Sequence, residues 1–198
     1  MSACRRDCIR DGQDGFTLVE LLVYSALFLI VLVIAGGMII NGIRGQETVR
    51  SVTDAANVGQ QVVRSVQAGV RNASEMILTA DSVAGTQLLI IRTVGGDPAS
   101  TVTSCQAWYY TPSDGGKIYT TKTSGAPIGL PAGGPAGVWA LLGEGVSPMD
   151  PATGKVLNAP AGGRVELRFT VRAGSHPYVL INTTIYAPQS TTGATCSV

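Results

Sequence analysis

Histidine is nearly absent: His176 is the sole one in 198 residues, and charged residues make up only 14% of the chain. One histidine without a neighbouring cysteine or paired acid makes neither a metal cluster nor a convincing hydrolytic triad, so the usual imidazole chemistries have no footing here. Formal net charge is +1, and no charged tail extends from either end. Nothing global therefore points to nucleic acid or to an anionic membrane surface. Internal repeats are missing too. Residues 16–72 contain no proline, and residues 21–43 contain no formal charge at all.

An uncharged run of 23 residues, 21–43, is long enough to cross a bilayer core, which takes about 20 apolar residues of helix. Two blander explanations compete with a membrane anchor. A cleavable secretory signal would use Arg5, Arg6 and Arg10 as its basic region and the "VIA" ending at Ala35 as its cut site. The apolar run continues beyond Ala35, however, whereas signal cores usually hold about 7–15 residues. A buried core helix is disfavoured by the length alone. Just before the run stands a carboxylate, Glu20, within "GFTLVELLVYSALF". An ionisable group in such a segment is costly and marks a functional pairing by default. Its partner is the question the sequence poses.

Beyond Gly45 the helix is expected to continue. Val52, Ala56, Val63, Val66 and Val70 recur at helical spacings, with Gly59 on the same stripe, while Arg50, Asp54, Gln61, Arg64 and Gln67 fall elsewhere. Asn72 and Ser74 supply a stop and turn, so one helix over 16–72 is predicted. Residues 87–94, "QLLIIRTV", read as a strand. Segments 101–110 and 116–123 flank "TPSDGG" as a hairpin. Segment 138–146 is a short strand or a helical turn. In "RVELRFTVR", Val165, Leu167, Phe169 and Val171 face one way and Arg164, Glu166, Arg168, Thr170 and Arg172 the other, as in a half-buried antiparallel strand. Residues 178–186 form the last strand. The predicted class is α+β: a long N-terminal helix, its apolar half transmembrane and its amphipathic half laid on a C-terminal antiparallel sheet.

Orientation is weakly marked by charge, since arginines lie on both sides of the run. Cysteines say more. Cys4 and Cys8 precede the run, whereas Cys105 and Cys196 lie far beyond it. Two cysteines in a strand-rich domain of small residues suit a disulfide in an oxidising compartment, which favours the C-terminal part outside. Cys4 and Cys8 have no matching His or Cys nearby for a metal half-site.

On these residues the chain resembles the type IV pilin superfamily, which includes pilins and the pseudopilins of type II secretion and competence systems. The resemblance rests on "GFTLVELL": a hydrophilic leader ending in Gly15, then Phe16, then Glu20 fifth in the mature chain, then a long apolar helix. It is strong over about residues 1–45; beyond that only the architecture and two cysteines match. "CQAWYYTPSDGGKIYTT", the later "LLGEGVS" and two final strands look similar to the larger minor pilins of the J or W type. The resemblance implies that a membrane-embedded prepilin peptidase cuts between Gly15 and Phe16 and methylates the new amine on Phe16. It implies that Glu20 pairs with that amine on a neighbouring subunit during assembly. It also agrees with a Cys105 to Cys196 bridge clamping the C-terminus to the sheet, worth roughly 4–5 kcal/mol by loop entropy. Spacing alone does not establish that bridge.

The expected organisation is a leader at 1–15, a transmembrane and assembly half-helix at 16–43, an amphipathic half at 44–73 and a sheet domain at 74–198. The expected role is a structural subunit, a minor pilin or pseudopilin, not an enzyme, and with no cofactor. Expected partners are the prepilin peptidase, other pilin or pseudopilin subunits, an inner-membrane assembly platform and the lipid bilayer. Before assembly the N-terminus would be cytoplasmic and the C-terminal domain outside; afterwards the subunit would belong to a surface pilus or an extracytoplasmic pseudopilus. The rival reading is an anchored or secreted adhesin or DNA receptor that never polymerises. Gly36, Gly37, Gly42 and Gly45 each disfavour helix by about 1 kcal/mol relative to Ala. They serve either local extension on assembly, where the family often has a proline, or tight helix packing. Calcium at Glu144 and Asp150 lacks the EF-hand spacing. Nucleic acid on Arg164, Arg168 and Arg172 is not indicated, because Glu166 interrupts the tract and a solvated sheet face explains it.

Overall fold

The computed structural model describes residues 17–81, 84–94, 103–131, 134–160, 162–174, 176–187, 191–192 and 195–197. The chain divides into two compact units, Met1–Glu47 and Thr48–Val198. Helix α1 runs Leu18–Val70, so the division falls within it, and its two parts are described in turn.

The first part is apolar around its whole circumference. Its most apolar 18-residue window has a mean hydropathy of 2.7 and none of it is buried within the chain. Among the described residues this is one helix long and apolar enough to cross a membrane. A helix satisfies its backbone groups internally, which lets such a sequence stay regular with no neighbour. Gly36, Gly37, Gly42 and Gly45 all lie within the helix, and a Cβ added at any of them would meet nothing within 4 Å. Among the described residues, then, nothing packs closely against them.

In the second part the buried residues are Ala55, Gly59, Val62, Val66, Gly69 and Val70. The stripe is thus centred on Ala55 and Val62; Ala56 and Val63, expected to lead it, are only half-buried at its flank. The reason is local close approach. A Cβ at Gly59 would stand 2.9 Å from Ile181 Cδ1, and one at Gly69 would collide with the Trp108 ring. The two glycines pull the helix down along their own line, and their neighbours one turn away follow. Trp108 Nε1 donates to Ser65 Oγ at 2.9 Å, which satisfies the indole inside the core.

The helix gives way directly to a strand. The turn expected at Asn72 and Ser74 is confined to residues 71–72, and β1 (Ala73–Asp81) begins at once. The remaining strands are β2 (Thr86–Val94), β3 (Thr103–Thr111), β4 (Lys117–Ser124), β5 (Ala140–Glu144), β6 (Val146–Pro148), β7 (Leu157–Asn158), β8 (Arg164–Ala173), β9 (His176–Tyr186) and β10 (Thr191–Thr192). They form two sheets rather than the single one expected. The larger has the order β10-β1-β2-β3-β4-β5; in the smaller, β8 pairs with β6, β7 and β9. Pairing is antiparallel except that β10 runs parallel to β1, a departure from the all-antiparallel expectation.

Strand β2 shows why two sheets are needed. Leu88, Leu89, Ile90 and Ile91 are all buried, so both faces of the larger sheet are covered. One face carries Leu89, Ile91, Trp108, Tyr110 and Ile118 and shares a core with the second part of α1 and with Val165, Leu167, Phe169 and Val171 of β8. The opposite face carries Leu88, Ile90, Cys105, Ala107 and Tyr109, packed with Ile128 and Cys196. Between the sheets, buried Gln87 acts as a bracket: its Oε1 accepts from the N–H groups of Val156 (3.0 Å) and Leu157 (2.7 Å), and its Nε2 donates to Gly154 O at 2.7 Å. Both the oxygen and the nitrogen of that buried amide thus have partners, which is the condition for such a group to be tolerated.

Candidate functional site

Glu20 sits in the first turn of α1. Its N–H donates to Thr17 O at 3.0 Å and lies 3.3 Å from Thr17 Oγ1, so Thr17 caps the helix. The order Thr17, two residues, Glu20 is the capping-box signature, a signal present in the sequence but not used there. A carboxylate in the first turn also interacts favourably with the helix dipole, by about 0.3–1 kcal/mol at exposed sites. One turn on, the Tyr24 hydroxyl donates to Glu20 Oε1 at 3.5 Å. Ser25 Oγ is turned inward to Leu22 O at 2.9 Å. The Glu20 carboxylate is exposed, and no ion pair to it occurs among the described residues. Arranged this way, it presents an acid outward from an apolar helix, with the Tyr24 hydroxyl beside it and no cation against it among the described residues. Gly15 and Phe16, named as the cleavage and methylation positions, lie outside the described residues.

A second constellation holds the C-terminal segment. Cys105 of β3 and Cys196 are joined by a disulfide with Cα atoms 5.7 Å apart, and both are buried. Next to it, Ile128 N–H donates to Cys196 O at 2.7 Å and residue 128 bridges residue 197. Glu75 of β1 supports the same segment. A hydrogen bond from the Thr195 side chain, together with the Arg92 guanidinium at 2.8 Å, holds its carboxyl below the ordinary value of 4.5 despite desolvation. Neither Glu75 nor Arg92 was singled out in the sequence. Both sit on strand faces that read as ordinary alternation, and their partnership depends on β1 pairing with β2.

The remaining candidates separate. Glu144 stands at the end of β5 opposite Lys117, while Asp150 forms its own turn, accepting from Ala152 N–H at 3.0 Å. Asp150 lines a cleft of 230 Å³ with Lys155 and Arg168, and such cations oppose a calcium ion. Among the described residues no group of three His, Cys, Asp or Glu stands ready for a metal. Arg164, Arg168 and Arg172 are exposed on β8, with Glu166 between them tied to Arg164 (3.7 Å) and to Asn158 (3.1 Å). His176 opens β9, opposite Ala173.

Residues 10–36 match the family model of the prokaryotic N-terminal methylation motif. The match supports a type IV pilin-like prepilin, and with the apolar helix it is consistent with membrane anchoring. Its span contains Gly15, Phe16 and Glu20. No curated protein and no solved structure matches the chain.

Proposed function

We propose that the protein is a structural subunit, a minor pilin or pseudopilin, made as a prepilin and cut between Gly15 and Phe16. Residues 1–15 are then the leader, 16–43 the membrane and assembly half of the helix, 44–73 its amphipathic half and 74–198 the displayed domain. The observation that carries this reading is an exposed carboxylate, Glu20, in an unburied apolar helix inside the methylation-motif match. A carboxylate in an apolar, low-dielectric surrounding is strongly destabilised unless a cation or hydrogen bonds compensate it. Cleavage creates such a cation, the methylated amine on Phe16, two charges' worth of register information on each subunit. Correct stacking pairs the amine of one copy with Glu20 of the next. A slip leaves both uncompensated, which costs several kcal/mol. The prepilin peptidase, sister subunits and an inner-membrane platform are the partners this life history requires.

N-terminal sequencing and intact mass, on protein from cells with and without prepilin peptidase, test the reading. The expected product begins at Phe16 and is heavier by one methyl group when the peptidase is present, and keeps residues 1–15 when it is absent. A product beginning near Gly36 would mean ordinary signal cleavage and would remove the filament role.

A further inference from the structure

On the face of the larger sheet turned away from α1 lies an open groove of 640 Å³, within the range of about 300–1,000 Å³ that small ligands occupy. Its floor follows from strand register. Tyr109 of β3 stands directly opposite Tyr119 of β4, and Thr111 opposite Lys117, so the alternation puts all four on one face. Thr86 joins them from the start of β2, and Leu130, Pro131 and Pro135 form the far wall. Tyr109 is nearly covered, tilted against Trp139 with ring centroids 5.9 Å apart, whereas Tyr119 is half-buried and keeps part of its ring open to the groove.

The rim is built with care. Asp114 has a left-handed backbone (φ 52°), the one non-glycine among the described residues to do so, and Gly115 and Gly116 follow at φ 85° and 84°. Such a conformation is disfavoured for a residue with a Cβ and persists where its surroundings impose it. Two residues on, Gly116 lies so close against Val146 that no side chain fits, and Val146 N–H donates to Gly116 O at 3.1 Å, which fixes the end of the same turn. The result places the Asp114 carboxylate 3.5 Å from Lys117 Nζ at the groove mouth. Thr111 Oγ1 accepts from Ser113 N–H, leaving its own O–H proton uncommitted by that bond.

We propose that this groove binds a neutral saccharide. A half-buried tyrosine ring lining the groove offers the uncovered part of its apolar face to the C–H side of a pyranose. A carboxylate beside an ammonium offers an acceptor and donors to vicinal hydroxyls, and threonine hydroxyls do both. An anionic ligand is disfavoured, because among the described residues Lys117 is the one cation lining the groove, set against two carboxylates, Asp114 at 3.5 Å and Asp81. Lipid is disfavoured by the polar floor. Strand addition by a peptide has no purchase on the face of a sheet whose strands are paired on both sides. The inference concerns Thr48–Val198 only and stands apart from processing and assembly.

The test uses the full chain in micelles of a sugar-free detergent, with tyrosine-ring NMR signals followed during titration with glucose, galactose, N-acetylglucosamine and their β1,4-linked dimers. At least one sugar is expected to shift the Tyr119 ring. Tyr119→Ala should weaken that binding roughly tenfold or more, whereas Tyr119→Phe keeps the ring and stays within about twofold. Lys122→Ala, outside the groove, should bind as the parent does. If Tyr119→Ala fails to fold, Asp114→Asn, which keeps the shape of the turn, takes its place with the same expected loss of binding. Indifference to every sugar at millimolar concentration would overturn the proposal. So would equal binding by parent and Tyr119→Ala, or a proline-rich peptide occupying Tyr119 in preference to all the sugars.

Discussion

The two units obey opposite rules. In the first part of α1, Leu18 is 82% exposed and Val33 76%, while in the second unit Val62, Val66, Trp108 and Phe169 are fully buried. Both are apolar; only one has its solvent-excluding partner within the chain. Burying a Val, Leu or Phe side chain is worth about 1.5–3 kcal/mol, so the second unit collects its stabilisation internally. The most apolar window of the first gains none of it among the described residues, and in the proposed role gains it from lipid or from sister copies. What differs is the location of the missing partner, and that difference separates a domain that folds from a segment that assembles.

The sharpest way to break the comparison is at Glu20. Glu20→Gln removes the charge and leaves the capping turn. We expect filament incorporation to fall by roughly a hundredfold, from a cost of about 3 kcal/mol in an uncompensated pairing, while the melting temperature of the second unit stays unchanged. Pull-down with the sister subunits and thermal unfolding of the same sample read both. Incorporation at the parental level would remove Glu20 from the assembly mechanism.

The second unit offers the complementary test, on folding rather than on incorporation. The disulfide Cys105–Cys196 spans a sequence separation of 91. Cys105→Ser, or reduction, should lower its unfolding free energy by about 4 kcal/mol by loop entropy. Denaturant titration with and without reductant measures this, and membrane insertion of the first unit should not respond.

A smaller effect concerns Glu75. Its carboxyl titrates lower in the folded protein than the ordinary 4.5, so the folded state favours the ionised form. The contribution is therefore complete above the ordinary value and is lost as pH falls from there through the depressed folded value. Stability measured at pH 7 and in progressively more acid solution should drop less steeply in Glu75→Gln than in the parent. Identical slopes would show that Thr195 and Arg92 do not favour the charged form.

Local signals carried much of this molecule. The apolar run and Glu20 announce the first unit because a membrane-length segment is a property of consecutive residues. The alternation of Val165, Leu167, Phe169 and Val171 appears as burial on β8, since period two survives wherever one face is covered. The hairpin around "TPSDGG" likewise joins β3 to β4. The α+β class follows from these elements together. Thr17 was equally legible, as the first member of a capping box, and went unused.

Other features had no local signature. The helix stripe is set by how closely Gly59 approaches Ile181 and Gly69 approaches Trp108, and glycine on a helix does not say what will lean on it. The link between the two sheets through Gln87 uses backbone groups 67 to 70 residues away. The parallel pairing of β10 with β1, the support that Thr195 gives Glu75 and the groove at Tyr119 all join residues far apart in the chain. By itself the sequence determined the long helix, the strands β2, β3, β4, β8 and β9 and which segment seeks a partner outside, because those are matters of period and polarity along consecutive residues; it left β1, β7 and β10 unmarked. Tertiary structure alone decided which faces meet and which side chains converge, because contact between distant segments depends on close packing in three dimensions that no short window contains.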